Sequence, residues 1–243
     1  MAEARRATTT ATDVTALEIF QNQWEVYRKF LTHDYLSNAE AARALRAFLT
    51  GEIARPYSFV DLACGDASGI VPALEGTPIE QYRGVDLSAP ALALARGNLA
   101  ALPCTVELEE ADFSAAMRDL PAPADIVWIS LSLHHLDTAA KRAFMREVRA
   151  GLAPQGAFLV YEPTRRDGED RPAYLDRFED IGRREWTELS DTEFAEALKH
   201  VRACDLPETV SDWERLGRDA GFASSRQLYA SPSDLFRLFL YRP

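Results

Sequence analysis

The chain has 243 residues, 47% of them apolar, which suits one domain, or one domain carrying an insertion, around a sizeable core. Its 27 basic and 38 acidic side chains leave a net charge of −11, a surface that repels phosphate backbones and argues against nucleic acid as a partner. The longest apolar stretch, near Ile126 to Leu136, is interrupted by Ser130, Ser132, His134 and His135 and is too short to span a bilayer, so no membrane partner is expected either.

In chain order, Met1 to Asp13 is rich in Ala, Thr and Arg, lacks the apolar run of a secretory signal, and reads as a disordered tail; its composition also leaves a transit peptide open. Residues 14–56 read as a helical cap. Leu17, Phe20, Trp24, Tyr27 and Leu31 recur at spacings of three and four, one face of an amphipathic helix. Ser37 followed by Glu40 reads as a capping box for a second helix that carries Ala41, Ala44, Leu45, Phe48 and Leu49 and runs to Gly51.

Over residues 57–163 the pattern alternates between strands and helices. Strands are expected at Tyr57–Leu62, Gln81–Asp86, Cys104–Glu109, Asp125–Ser130 and Ala157–Glu162, with helices near Gly69–Glu75, Ser88–Leu99, Phe113–Leu120 and Thr138–Leu152. Such alternation implies an α/β, Rossmann-like, doubly wound and mostly parallel sheet covered on both faces, for which unbroken apolar strands such as Ile126–Ile129 are required. Residues 164–208 break the alternation and read as a charged helical lid, with one helix near Pro172–Ile181 and another from a Ser190/Glu193 capping box to about Cys204. Residues 209–243 supply a helix capped by Ser211/Glu214 and stopped at Gly221, then strands Ser224–Ala230 and Leu235–Tyr241, bringing the sheet to about seven strands in a single domain over 14–243. Cys64, Cys104 and Cys204 are odd in number and widely spaced, against a disulfide framework or a zinc knuckle; no metal ligands are assigned, and a cytoplasmic protein, monomer or homodimer, is expected.

The most informative segment is Phe59-Val60-Asp61-Leu62-Ala63-Cys64-Gly65-Asp66-Ala67-Ser68-Gly69: a buried strand ending in an acid, a turn of small residues and a helix start. Small residues let a ligand approach the backbone, and free N–H groups at a helix start favour negative charge. Strand two then ends in Asp86, spaced to accept both hydroxyl hydrogens of a ribose. Dinucleotide-binding domains share this layout, but Ala63, Gly65 and Ser68 meet their glycine fingerprint poorly.

The segment resembles the first motif of class I S-adenosylmethionine-dependent methyltransferases, with Asp61 and Gly65 in place and alanines at 63 and 67 where the family has glycine. Alanine is not comfortable at positive φ, so ordinary dihedrals are expected at those two positions. Further motifs follow in the family's order: Gly84-Val85-Asp86-Leu87-Ser88 is similar to its ribose step, and Glu110-Ala111-Asp112-Phe113 to its adenine step. The strand-four end Ser130-Leu131-Ser132-Leu133-His134-His135 and the turn Gly151-Leu152-Ala153-Pro154-Gln155-Gly156 come next. The resemblance covers about residues 57–163 and 211–243. It implies S-adenosylmethionine as cofactor, with S-adenosylhomocysteine as product, held by Tyr27, Asp61, Ala63, Gly65, Asp86, Leu87, Asp112, Phe113 and Ser130, and methyl transfer to the N, O or S atom of a small-molecule substrate.

Methyl transfer from a sulfonium is an in-line displacement, so the enzyme mainly aligns the nucleophile, and a base helps where a proton must leave. The family places its substrate beyond strands four and five, where this chain has His134, His135 and Glu162. Either histidine could take a proton or could bond inward, and Glu162 could hold a substrate amine or pair with a lid arginine. Tyr35, just before the Ser37 box, is a fourth candidate near the opening, whereas Tyr27 also reads as core because it lies on the apolar stripe. Arg165, Arg166, Arg171, Arg177, Arg183 and Arg184 suggest an anionic substrate or, with the acids around them, local surface pairs. Aminocarboxypropyl transfer or cyclisation on the same cofactor, or a non-catalytic cofactor-binding protein, are the alternatives to methyl transfer.

Overall fold

The strand–helix alternation is realised in the computed structural model, which describes Val26 and residues 28–243. The tail and most of the first expected helix, Tyr27 included, therefore lie outside the described residues. The elements are α1 (Asn38–Glu52), β1 (Tyr57–Leu62), α2 (Val71–Leu74), β2 (Ile79–Asp86), α3 (Ala89–Asn98), β3 (Thr105–Glu110), α4 (Phe113–Arg118) and β4 (Ala124–Ser130). They continue with α5 (Thr138–Gly151), β5 (Leu152–Arg165), α6 (Arg171–Glu185), α7 (Asp191–Cys204), β6 (Glu208–Thr209), α8 (Val210–Asp219), β7 (Ser224–Ala230) and β8 (Phe236–Arg242). The main sheet runs β3-β2-β1-β4-β5-β8-β7, and the two-residue β6 pairs with the far end of β5. Strands β1 to β5 are mutually parallel, while β8 runs antiparallel to both β5 and β7. Strand order reverses between β1 and β4, so the crevice past their carboxyl ends is where such a sheet binds ligands.

Side chains alternate across the sheet and fill two cores. Phe59, Ile126, Trp128, Leu159 and Tyr161 face α1, α2, α6 and α7, whereas Val60, Val127, Ile129, Phe158 and Val160 face α4, α5 and α8. All ten are at most 5% exposed, as a doubly covered sheet demands. Gly217 of α8 is required by packing: a Cβ there would stand 2.5 Å from the Tyr241 ring. No helix among the described residues is long and apolar enough to cross a membrane.

Two expected caps differ. Ser37 is left-handed (φ 54°) and makes no side-chain cap; Asp34 Oδ1 instead accepts from Ala39 N at 3.0 Å. The box on α8 is Thr209 with Asp212, because Ser211 is engaged through both its N and its hydroxyl by Asp167. The Ser190/Glu193 box on α7 forms as expected.

A third difference concerns the turn after β1. Ala63 and Ala67 do not adopt ordinary dihedrals: their φ values are 54° and 55°, matching 54° at Gly65. Cys64 N donates to Val85 O at 3.0 Å and Ala67 N to Cys64 O at 2.9 Å, so the β1–β2 ladder and the turn over-determine the backbone. The left-handed well costs an L-residue roughly 1–2 kcal/mol, of which glycine's extra chain entropy would cancel part. Ala63→Gly should therefore stabilise the protein by about 0.5–1 kcal/mol in denaturant unfolding, whereas a destabilised variant would mean that this turn is not left-handed at 63.

Candidate active site

The carboxyl ends of β1 and β2 form the first half of the site. Asp86 is half-buried and its two oxygens are held separately: Oδ2 accepts from Gly65 N at 2.8 Å and Oδ1 from Ser88 N at 2.8 Å. Each oxygen keeps acceptor capacity beyond that bond, so the carboxylate is oriented without being used up. Leu87, next in sequence, is 70% exposed, an apolar surface beside the acid with no protein covering it. Asp112 caps α4, its Oδ1 accepting from Ser114 N and Ala115 N at 3.0 and 3.1 Å, which leaves its second oxygen outside the cap. Phe113 is half-buried and packs edge-on against Phe144, with ring centroids 5.1 Å apart. Ser130 is half-buried at the end of β4, directly across the order reversal from β1.

Asp61 is buried, and its Oδ2 accepts from the Tyr82 hydroxyl at 2.6 Å. Burial, reinforced by the charge of Asp86 and opposed by the Tyr82 bond, pushes its carboxyl up to about 7. The folded value lies above the unfolded one, so the associated stability is present below an ordinary carboxylate pKa of about 4 and is lost as pH rises toward 7. Cys64, also raised by burial and by Asp61 and Asp86, stays a thiol.

The second half lies beyond β4 and β5. Glu162 has no exposure and four donors: Oε1 accepts from Ser132 N and Leu133 N at 2.9 and 2.8 Å, and Oε2 from His134 N at 3.3 Å and His134 Nδ1 at 2.6 Å. It therefore has no oxygen free for a substrate amine and touches no lid arginine; it positions the loop after β4. That loop turns on Leu131, left-handed at φ 50° and tied by its N to Tyr161 O at 2.8 Å. A buried acceptor gathering consecutive N–H groups is what keeps a non-glycine residue in this well.

His134 is buried and His135 is 42% exposed at its side chain, with the two rings 4.1 Å apart. Burial opposes charge on His134, but Glu162 and then Asp205 outweigh it and lift its pKa above the ordinary histidine range. Burial and the neighbouring rings of His134 and His200 push His135 down to about 4, so it is a neutral base. Asp205, which follows α7, brings Oδ1 to 3.6 Å from His134 Nε2 and 3.7 Å from His135 Nδ1. Burial raises its carboxyl, with the histidines opposing. His200 lies on α7 and Asp205 just after it, and neither carried a local sequence signal; only the fold brings them to the β4 loop.

These groups form the polar end of a cavity of about 620 Å³. Phe30, Leu36, Leu131, Phe178 and Phe236 supply most of its apolar wall. Tyr35 is not in that wall. Its hydroxyl accepts from Glu188 N at 2.9 Å and its ring stacks on Trp186, so it joins the segment before α1 to the loop after α6, where Lys29 also pairs with Glu193 at 2.7 Å. The six insertion arginines are all engaged within the chain. Arg165 and Arg171 donate to backbone carbonyls, Arg177 to Glu169, Arg166 to Asp234, Arg183 to Glu179 and Arg184 to Glu185. Local pairing, not anion binding, accounts for them.

Residues 59–156 match the family model described as a methyltransferase domain. No curated protein matches the chain by sequence. Of solved structures, 1146 chains match, so the fold is common and does not itself select an acceptor. The plantazolicin methyltransferase BamL, solved with a triazolic desmethylPZN analog and SAH, is similar over 93% of this chain and 91% of its own, at 14% identity and a TM-score of 0.66. The pyocyanin biosynthetic protein PhzM matches 82% of this chain and 54% of its own, at 22% identity and a TM-score of 0.56. A putative O-methyltransferase from Nostoc punctiforme matches 84% of this chain and 56% of its own, at 17% identity and a TM-score of 0.59. The chain thus spans about half the length of the last two proteins.

The Asp61 linkage is testable without any ligand. Asp61→Asn keeps an acceptor for Tyr82 but cannot ionise. Between about pH 4 and about pH 7 the wild-type melting temperature should fall relative to that of the variant, and above that range the two should run parallel. Parallel pH profiles would instead place an ordinary carboxyl at 61.

Proposed function

We propose, from the match of residues 59–156 to a methyltransferase-domain model and from the Rossmann-like fold, that the chain transfers a methyl group from S-adenosylmethionine to a small-molecule acceptor. The observation that carries this reading is an oriented carboxylate at the end of β2, on the same edge of the sheet as a largely apolar cavity past β4 and β5 that His134, His135 and His200 help line. The residues at the first half fit the cofactor. The turn at 63–67 has the backbone that glycines would give, Asp86 presents fixed lone pairs for ribose hydroxyls, and Leu87 offers an uncovered apolar face for adenine. Asp112 keeps an oxygen for the adenine amino group, and Ser130 lies where the two halves meet.

When bound, the sulfonium supplies an electrophilic methyl and a neutral thioether leaving group. The chain's own part is positioning and exclusion of water. The apolar wall holds the acceptor's body, and the polar end, where His134, His135 and Asp205 meet, receives its nucleophilic atom. Glu162 and Tyr35 act by positioning: one fixes the His134 loop, the other holds the inserted helices against the segment before α1.

Two measurements test the reading. Asp86→Ala should weaken S-adenosylhomocysteine binding in calorimetry by about 1.5–3 kcal/mol, the scale of hydrogen bonds to a charged group; unchanged affinity would take Asp86 out of the ribose site. His135→Ala should lower turnover by about 10²-fold or more with that affinity intact, and normal turnover would make His135 structural. Product analysis separates the chemistries: S-adenosylhomocysteine supports methyl transfer, whereas methylthioadenosine replaces it with aminocarboxypropyl chemistry.

A further inference from the structure

Asp205 Oδ1 is a buried carboxylate oxygen with no hydrogen-bond partner among the described residues, in a residue only 5% exposed. Leaving such an atom bare in a low-dielectric site is costly. Two ring nitrogens stand close to it, His134 Nε2 at 3.6 Å and His135 Nδ1 at 3.7 Å, and all three atoms lie within 4.8 Å of one another. Glu162 fixes the tautomer of His134. With Nδ1–H donating to Oε2 at 2.6 Å, a neutral ring turns its Nε2 lone pair toward Asp205. A His135 ring protonated on Nε2 would turn its Nδ1 lone pair toward the same point.

We propose that His134 Nε2, His135 Nδ1 and Asp205 Oδ1 form a binding site for a divalent first-row transition metal, with an open coordination position toward the cavity that takes an oxygen or nitrogen donor of the acceptor. Two imidazoles and one carboxylate are the donor set of open zinc and non-haem iron sites. Bonds of about 2.05 Å in tetrahedral geometry separate ligand atoms by about 3.3 Å. The two Asp205 distances, 3.6 and 3.7 Å, need a few tenths of contraction, and the two ring nitrogens, within 4.8 Å of each other, must close to a similar separation, a movement that rotation of the half-exposed His135 supplies. The Glu162–His134 pair is the carboxylate–histidine support that metal-bound imidazoles carry. Nearby cations do not occupy the place: Arg171 donates to the Asp205 backbone carbonyl, and Lys141 to Glu208 and the Leu206 carbonyl. A hydroxyl that coordinates there would shed its proton to solvent more readily, as metal-bound water does. That last role rests on the methyl-transfer reading; the metal site itself does not.

The test uses the full chain, stripped with a chelator and titrated with zinc by calorimetry and with cobalt by visible absorption. One equivalent should bind, cobalt giving the intense bands of a four- or five-coordinate site. His135→Ala and Asp205→Asn should each weaken binding by about 100-fold or more, and Glu162→Gln by about 10–100-fold. Should wild-type protein take up no stoichiometric metal, or should the two ligand variants bind as tightly as wild type, the site does not exist. S-adenosylhomocysteine affinity, measured on the same samples, separates this proposal from the functional reading. Metal uptake without cofactor binding would retain the site and overturn the methyltransferase reading. Full methyl transfer by chelator-stripped protein would retain the enzyme and overturn the metal's place in its acceptor site.

Discussion

One buried carboxylate sets the geometry of the second half of the site. Glu162 lies in the middle of the sheet with no exposure, where an unpaired charge would cost several kcal/mol. Three consecutive backbone N–H groups and one imidazole meet it there, so the loop after β4 folds around an acceptor it cannot leave. The left-handed Leu131, the inward ring of His134 and the outward ring of His135 all follow from that wrapping. The antiparallel β8 seals the arrangement from the other side, with Arg237 in register opposite Glu162 and Phe236 in the cavity wall.

The first half rests on a different constraint, close approach of backbone to backbone. Ala63 and Ala67 adopt the same left-handed turn as Gly65 because the ladder beside them leaves no alternative. The strain is local and tolerable, since each alanine presents only a methyl group to the crowded side. The identities of turn residues therefore mattered less than the strand and the acid that bracket them, Asp61 and Asp86.

Much of the architecture was legible because burial on both faces leaves an unmistakable pattern. Tyr57–Leu62 and Ser224–Ala230 appear with the expected ends, and β4 differs from its expected span by one residue. What failed was chemistry decided by tertiary neighbours. Ser37 and Ser211 have the spacing of caps, but Asp34 and Asp167 supply stronger local partners. Glu162 reads as a group facing a ligand because it ends an apolar strand; only the wrapped loop shows that it faces inward. Asp205 sits 70 residues past His135, after a helix whose periodicity says nothing about its last carboxylate, so no spacing rule could pair them. The two-residue β6 is too short to leave a period.

The clasp between Tyr35 and Glu188, with the Lys29–Glu193 ion pair also bridging, joins two stretches of chain more than a hundred residues apart, behind Phe30 and Phe178 of the cavity wall, which both pack on Trp186. Both links are polar and at least one end of each is accessible to water, so each is worth little alone and is easily exchanged for solvent. Parting the two stretches breaks these polar links together with the packing of Tyr35 on Phe30 and Trp186. The polar share of that cost falls as salt screens the Lys29–Glu193 pair, whereas the aromatic share does not, so ionic strength loosens the junction only in part.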